Sequence, residues 1–344
     1  MGFRFLIYGA GAIGTYIGGS LSLQGHQVVF LERGQDLKGL QSRGLRMDIE
    51  GTQHQIPSPI CISSLDEIKE QKFDLLILAL KTYHLDDILP DLKRLRKHLP
   101  PILCLQNGVE SEKILADHVS EDLVIPGTVT SAVDRKQKGD IIVRRLRGMA
   151  IADTHPISRE ILPIFNQAGL NLKLYARPES LKWSKLLTNL MGNASSAILN
   201  LTPAQIYSNP DLFDLELRQL RETLKVMSRM GIQPVNLPGV PIKLLALVVK
   251  YIPRQLSRLI LIKAIGGGRG GKMPSFHIDL YSGRGKSEVD QLNGAVVRAG
   301  DKINIPTPVN QLFTRLLCSL INGEEPLKKY ANKPEVLLAL LAND

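Results

Sequence analysis

The sequence predicts an N-terminal doubly wound α/β domain with a mostly parallel sheet, followed by an all-α domain. Three observations carry that expectation. The first half alternates short apolar runs with helical patterns, the second half holds only long helical patterns, and 344 residues exceed the usual size of one hydrophobic core. In order, RFLIYG (4–9) is a dense apolar run ending at glycine, residues 12–24 carry apolar positions at helical spacing, and QVVFLER (27–33) is a second strand. DLLILAL (74–80) and ILCLQ (102–106) are apolar throughout, as strands buried on both faces of a parallel sheet are. LVIPGTVTSAV (123–133) and DIIVRRL (140–146) are expected at the far edge of the same sheet, and GMAIAD (148–153) and LNLKLY (170–175) add a strand each. After Tyr175 helical patterns cover 180–200, 210–231, 286–302 and 307–323. The boundary is expected near Arg177-Pro178, giving domains of 1–176 and 177–344, the second with an apolar-basic insertion at 237–272.

Composition narrows the function classes. Hydrophobic residues make up 44% of the chain and charged ones 22%, a globular balance. Cys61, Cys104 and Cys318 lie far apart and form no metal-binding spacing, so no disulfide framework or zinc site is expected and a cytoplasmic setting is. The net charge is +10, and between Glu222 and Asp279 nine basic residues occur without one acid. Leucine, valine and isoleucine interleave those charges where a nucleic-acid surface would carry aromatics, so no nucleic-acid partner is expected. Five basic residues and Pro253 interrupt the apolar stretch 242–263, which leaves no uncharged window long enough for a membrane span; an amphipathic helical hairpin or an interface element is expected there.

Gly9-Ala10-Gly11-Ala12-Ile13-Gly14 fits GxGxxG, follows an apolar strand and opens a helix, the setting that makes this common spacing meaningful. Gly9 allows the tight turn, Gly11 lets a pyrophosphate approach the backbone, and Gly14 lets helix and strand pack closely. The helix N-terminus supplies unpaired N–H groups for the phosphates. A Rossmann-type dinucleotide site follows. At the end of the second strand Glu32 and Arg33 stand side by side. A carboxylate would bind a ribose 2′-hydroxyl, whereas an arginine would bind a 2′-phosphate. Alternation along the strand turns only one of them to the ribose, and the residues alone leave the choice open.

Several motifs together resemble the ketopantoate reductases in order and spacing. They are GAGAIG, ERGQDLKGLQSRGL (32–45), LALKTYH (78–84), LQNGVES (105–111), PGTVTSAV (126–133), WSKLLTNLMGNASSAILN (183–200) and SGRGKSEVDQLNGAVVRAGDKINIPTPVN (282–310). The resemblance implies NADPH as cofactor, with Arg33 on the 2′-phosphate and Lys81, Asn107 and Ala132 at cofactor-contacting positions. It further implies reduction of 2-dehydropantoate to pantoate, a step of pantothenate and coenzyme A biosynthesis. Lys185 then corresponds to the catalytic lysine and proton donor, Asn189 and Asn193 to the substrate asparagines, Glu288 to the active-site glutamate and Ser275 to a substrate-binding serine. No metal is implied.

The residues can be weighed without that resemblance. Lys185, Asn189 and Asn193 recur every four positions and share a helix face with Thr188, Gly192 and Ser196. An ordinary solvated face would be rich in Glu, Lys and Arg; this one suits a lined cleft. A desolvated lysine can stabilise an oxyanion and then protonate it. Glu288 and Asp290 read as acidic residues in the first turn of a helix, favoured by its dipole, Lys81 as a solvated lysine after a strand, and Asn107-Gly108 as a simple turn. His277 has no partner pattern. Two departures from the family pattern fall where substrate is selected: Asn200-Leu-Thr-Pro203 lacks a clear equivalent of the family's next asparagine, and 237–272 replaces a compact polar helix pair. A reductase of another 2-keto acid, an enzyme of the wider 6-phosphogluconate dehydrogenase-like group and a non-enzymatic NADP(H) sensor are the alternatives.

The segment 240–272 raises its own question. Leu244, Leu245, Leu247, Val248, Val249, Ile252, Leu256, Leu259, Ile260 and Ile262 are too many apolar side chains to leave in water. Burial against the protein itself, as a wall over the active site, is the first expectation; a homodimer interface comes second and a lipid surface third. The glycines of 266–271 would hinge this wall and bring Ser275 to the substrate.

Overall fold

The structure is a computed structural model in which residues 2–266, 271–283 and 285–342 are described. Packing divides the chain into two compact units, Met1–Lys182 with Asn236–Val240, and Trp183–Val235 with Pro241–Asp344.

Among the described residues the first unit carries twelve strands: β1 (Arg4–Tyr8), β2 (Gln27–Leu31), β3 (Leu45–Ile49), β4 (Thr52–Ile56), β5 (Ile60–Ile62), β6 (Leu75–Leu78), β7 (Ile102–Cys104), β8 (Val124–Val129), β9 (Ala132–Gln137), β10 (Asp140–Arg145), β11 (Met149–Ala152) and β12 (Leu172–Tyr175). Its helices are α1 (Ala12–Leu23), α2 (Gly34–Arg43), α3 (Leu85–Leu95), α4 (Ser111–His118) and α5 (Pro156–Gln167). Eight strands form the main sheet in the order β12-β11-β8-β7-β6-β1-β2-β5, parallel except between β8 and β11. Strand β1 lies between β6 and β2, so successive connections leave it in opposite directions, and ligands of such sheets bind at the carboxyl ends of the strands at this switch.

The period of two in β1 builds both layers of the core. Phe5 and Ile7 face Tyr16, Ile17 and Leu21 of α1 and Phe165 of α5, while Leu6 and Tyr8 join Leu85, Ile88, Leu89 and Leu92 of α3 and Leu115 of α4. The sheet is thus covered on both faces, which is why its central strands β6 and β7 are apolar throughout.

One expectation fails at the edge. DIIVRRL forms β10, which lies in a second, four-stranded sheet of order β4-β3-β10-β9, not in the main one. Alternate burial along β10 buries Ile141 and Val143 and turns Arg144 outward, the pattern of a sheet with one wet face. The segment 236–240 returns to the first unit because its carbonyls are claimed there: Tyr175 donates to Asn236 O (2.7 Å) and Thr130 to Pro238 O (2.8 Å).

The second half folds into α6 (Pro178–Leu190), α7 (Ala194–Leu199), α8 (Pro203–Ser208), α9 (Pro210–Arg229), α10 (Ile242–Tyr251), α11 (Arg254–Gly266), α12 (Ser275–Tyr281), α13 (Ala295–Lys302), α14 (Pro308–Ile321) and α15 (Pro334–Ala342), of which α8, α12 and α15 lie outside the expected helical patterns. The packing division falls inside α6. Starts follow local chemistry. Thr202 and Gln205 form a capping box on α8, and Asn209 accepts from Asp211 N and Leu212 N ahead of α9, which has proline in its first turn.

The expected hairpin is present as α10 and α11, but the expectation that its apolar residues bury against the protein fails for half of them. Val248 and Val249 are buried, whereas Leu244 (55% exposed), Leu247, Leu256, Leu259 (67%) and Ile260 are exposed, with Tyr251 at 76%. On α10 the exposed positions recur at helical spacing, so one face packs and the other does not. Residues 267–270 of the expected glycine hinge lie outside the described residues. Among the described residues no helix is long and apolar enough to cross a membrane and no group of metal-ligating side chains is assembled.

Candidate active site

In the first unit the glycine loop sits at the carboxyl end of β1. Gly9 adopts φ +98°, open to glycine at little cost. Gly11 caps α1 with no side-chain partner, and the first turn of α1 holds no acidic residue, which leaves a helix end suited to an anion. The loop is fixed by backbone and hydroxyl bonds: Thr15 Oγ1 donates to Ala10 O (2.9 Å) and Gly9 N to Leu31 O (3.2 Å).

The two neighbours at the end of β2 have different fates. Glu32 is buried, accepts from Ala10 N (2.5 Å) and pairs with Lys138 Nζ (2.6 Å), so its carboxylate is held against the loop and neutralised. Arg33 is about half exposed (55%) and its guanidinium reaches Asp91 (3.1 Å) and the Tyr8 hydroxyl (3.3 Å). Lys138, in the turn between β9 and β10, could not be matched to Glu32 from sequence, because the pair is formed by two different sheets.

Lys81 follows β6 and Asn107 follows β7, the two strands next to β1 on one side; Ala132 opens β9. The loops after β6 and β7 are tied together by Thr82 Oγ1 donating to Asn107 O (3.2 Å) and Gln106 Nε2 to Lys81 O (3.3 Å). Lys182 was not foreseen. Its buried ammonium donates to Gln106 O (2.6 Å) and pairs with Glu112 (2.6 Å), so a charge anchors the loop that carries Asn107. Its position three residues before Lys185 was the available signal.

In the second unit Lys185 is partly buried on α6, Asn189 stands one turn further along and is buried, and Thr188 donates to the Lys185 carbonyl (2.8 Å). The expected unbroken helix over 180–200 is interrupted at 191–193, with Gly192 at φ +62°. Asn193 therefore does not continue the face of Lys185 and Asn189 but caps α7. Its side chain instead joins the end of α6 to the start of α12: Nδ2 donates to Asn189 O (3.0 Å) and to Ser275 Oγ (3.3 Å), and Oδ1 accepts from Phe276 N (3.0 Å). Asn193 and Ser275, 82 positions apart, are thus brought into contact. Close by, His277 stacks on Tyr281 and bonds Asn200 Oδ1 (2.7 Å), and burial lowers its pKa. Glu288 is buried (1% exposed) just ahead of a single π-turn at Asp290–Gly294, an irregularity that recurs at functional sites.

The buried polar face of α9 was missed. Glu216 accepts from Gly192 N, Ser195 and Tyr207, and burial pushes its carboxyl up to about 7. Gln219 accepts from Asn293 (2.9 Å), and Glu222 caps α14 through Val309 N and Asn310 N. The signal was three polar residues spaced by three along an otherwise apolar stripe. A cavity of about 540 Å³ on this unit, lined by Arg221, Lys225, Arg229 and Lys250 among others, includes none of the candidate residues.

Comparison with known proteins places this arrangement. The family model described as Ketopantoate reductase PanE/ApbA matches residues 5–155, and that described as Ketopantoate reductase PanE/ApbA C terminal matches residues 179–320. A 2-dehydropantoate 2-reductase of Pyrococcus horikoshii is 26% identical over 329 residues, covering 94% of this chain and 98% of that protein. A 2-dehydropantoate 2-reductase of Lactococcus lactis is 26% identical over 336 residues, covering 95% and 99%. Among solved structures, a PanE/ApbA family ketopantoate reductase from Ralstonia eutropha superposes with a TM-score of 0.78 at 24% identity, over 94% of this chain and 99% of that one. Both units are matched by models of one family across most of their length, and the chain belongs to the ketopantoate reductase family of oxidoreductases.

Proposed function

We propose that the protein reduces 2-dehydropantoate to pantoate with NADPH. The observation that carries this reading is the clasp of Asn193 on Ser275 and Phe276 N, which joins two segments that hold substrate roles by resemblance. NADPH supplies the hydride when bound. Gly9, Ala10, Gly11, Ala12, Ile13 and Gly14, with Lys81, Asn107 and Ala132, are the residues to hold it, on the fold's own logic that ligands bind at the carboxyl ends of the strands. The engagement of Glu32 by Lys138 and Ala10 N supports Arg33 as the reader of a 2′-phosphate, since a neutralised, buried carboxylate repels phosphate weakly.

Lys185 stabilises the oxyanion that develops at the 2-keto oxygen and then donates its proton to it. Asn189, Asn193 and Ser275 orient the substrate through neutral hydrogen bonds, and Glu288 accepts from its hydroxyl or fixes Lys185. The exposed apolar face of α10 and α11 supports a homodimer, because a second copy would remove Leu244, Leu247, Leu256 and Leu259 from water. We place the enzyme in the cytoplasm, which suits three free cysteines.

The test is oxidation of NADPH by the purified protein against a panel of 2-keto acids, repeated with NADH. Turnover with 2-dehydropantoate at a kcat/KM at least tenfold above the other acids supports the reading. Preference for another 2-keto acid keeps the chemistry and changes the substrate, and no oxidation with any acid supports a sensor. Sedimentation of the chain as a monomer would remove the dimer.

A further inference from the structure

Glu216 lies in the middle of α9, beside Leu215 and Leu217, and is 1% exposed. A carboxylate in such a place costs several kcal/mol of desolvation unless donors surround it. Three do: Gly192 N at 2.7 Å, Ser195 Oγ at 2.6 Å and the Tyr207 hydroxyl at 3.3 Å. Two of them flank Asn193: Gly192 in the break between α6 and α7, and Ser195 in the first turn of α7. Gln219, one turn along α9, donates to the carbonyl of Leu190, the last residue of α6. Helix α9 thus grips the carbonyl that ends α6, the N–H of Gly192 and the hydroxyl in the first turn of α7.

An uninterrupted helix would satisfy Gly192 N internally and need no carboxylate. It would also keep Asn193 on the face of Asn189, away from its bonds to Ser275 Oγ and Phe276 N. The break is therefore what aims the Asn193 amide, and Glu216 is what holds the break. We propose that Glu216 is a positioning residue, fixing Asn193 against Ser275 so that both meet the substrate in one geometry. The inference rests on the reading of Asn193 as a substrate contact. Misplacing an orienting group by about 1 Å can cost on the order of 10²-fold in rate.

The test compares four single variants and one double variant in steady-state kinetics with 2-dehydropantoate and in direct NADPH binding. Glu216→Ala leaves Gly192 N without its acceptor, and KM should rise at least tenfold with NADPH affinity within twofold of wild type. Glu216→Gln keeps one acceptor for Gly192 N and should restore KM to within about threefold. Gly192→Ala strains the break without touching Glu216, since its Cβ would meet nothing closer than 3.3 Å while φ stays at +62°, and it should raise KM as well. If Glu216→Ala does not fold, Gly192→Ala carries the test. In an Asn193→Ala background Glu216→Ala should add little, because the group it positions is gone. Full additivity of the two changes, or a wild-type KM in Gly192→Ala, overturns the proposal. A wild-type profile for Asn193→Ala alone instead overturns the substrate reading on which it rests.

Discussion

Gly11 and Gly14 belong to one motif, but the structure separates their tasks, and alanine at each should fail differently. A Cβ on Gly14 would lie 1.9 Å from the carbonyl oxygen of Gly9 and 3.0 Å from Ile7 Cγ2. Even a favourable C–H···O contact needs roughly 3.3 Å, so α1 must retreat from β1 by more than an ångström. The obstacle is backbone, and no rotamer change relieves it. Overpacking of this kind costs about 1–3 kcal/mol, only partly offset by the roughly 1 kcal/mol that alanine gains over glycine in a helix. A 1.9 Å approach to backbone puts the cost at the upper end of that range, and the resulting net loss near 2 kcal/mol corresponds to a fall of about 4–8 °C in the melting temperature of a unit this size. A Cβ on Gly11, whose φ is −70°, meets nothing within 4 Å. Gly11→Ala should therefore melt within about 3 °C of wild type, yet bind NADPH at least tenfold more weakly, because the methyl group occupies the approach of the pyrophosphate. Thermal unfolding by circular dichroism and titration of NADPH fluorescence read the two quantities separately. Undiminished NADPH affinity in Gly11→Ala would refute the assignment of this loop to the cofactor, and an unchanged melting temperature in Gly14→Ala would refute the packing argument.

Three further outcomes are expected. Arg33→Ala should weaken NADPH binding by ~1.5–3 kcal/mol, the scale of a charge-assisted hydrogen bond, and leave NADH almost unaffected; tighter binding of NADH by the wild type would make Glu32 the reader. Lys185→Ala should lower kcat by ~10²-fold or more with NADPH affinity retained, and activity within a few-fold of wild type would remove it from the mechanism. Burial raises the Glu216 carboxyl from 4.5 to about 7, so the folded state holds this proton more tightly than the unfolded one. Its contribution is then fully present below pH 4.5 and falls as pH rises toward 7, by about 3 kcal/mol at ~1.4 kcal/mol per pH unit. Denaturant unfolding of wild type and Glu216→Gln across pH 4.5–8 should show that fall only in the wild type; parallel pH profiles would refute it.

The sequence by itself determined the elements whose cause is local. Unbroken apolar strands, the glycine loop after β1 and the capped helices of the second half follow from burial on both sheet faces, from glycine's conformational freedom and from hydrogen bonds spanning a few residues. The order of motifs also carried the family. What only the tertiary structure decided depends on partners far apart in the chain. The second sheet pairs β10 with β3, so its register was invisible to a reading of neighbours. Lys138 neutralises Glu32 across 106 positions, which leaves Arg33 the accessible one of two adjacent charges. Helical periodicity put Lys185, Asn189 and Asn193 on one face, because a period assumes every N–H bonds four residues back. At Gly192 that bond is replaced by one to Glu216 on another helix, and the replacement sends Asn193 to Ser275. The exposed face of α10 and α11 has the same origin. Hydrophobicity dictates that such side chains leave water, but which surface covers them is a property of packing and not of composition.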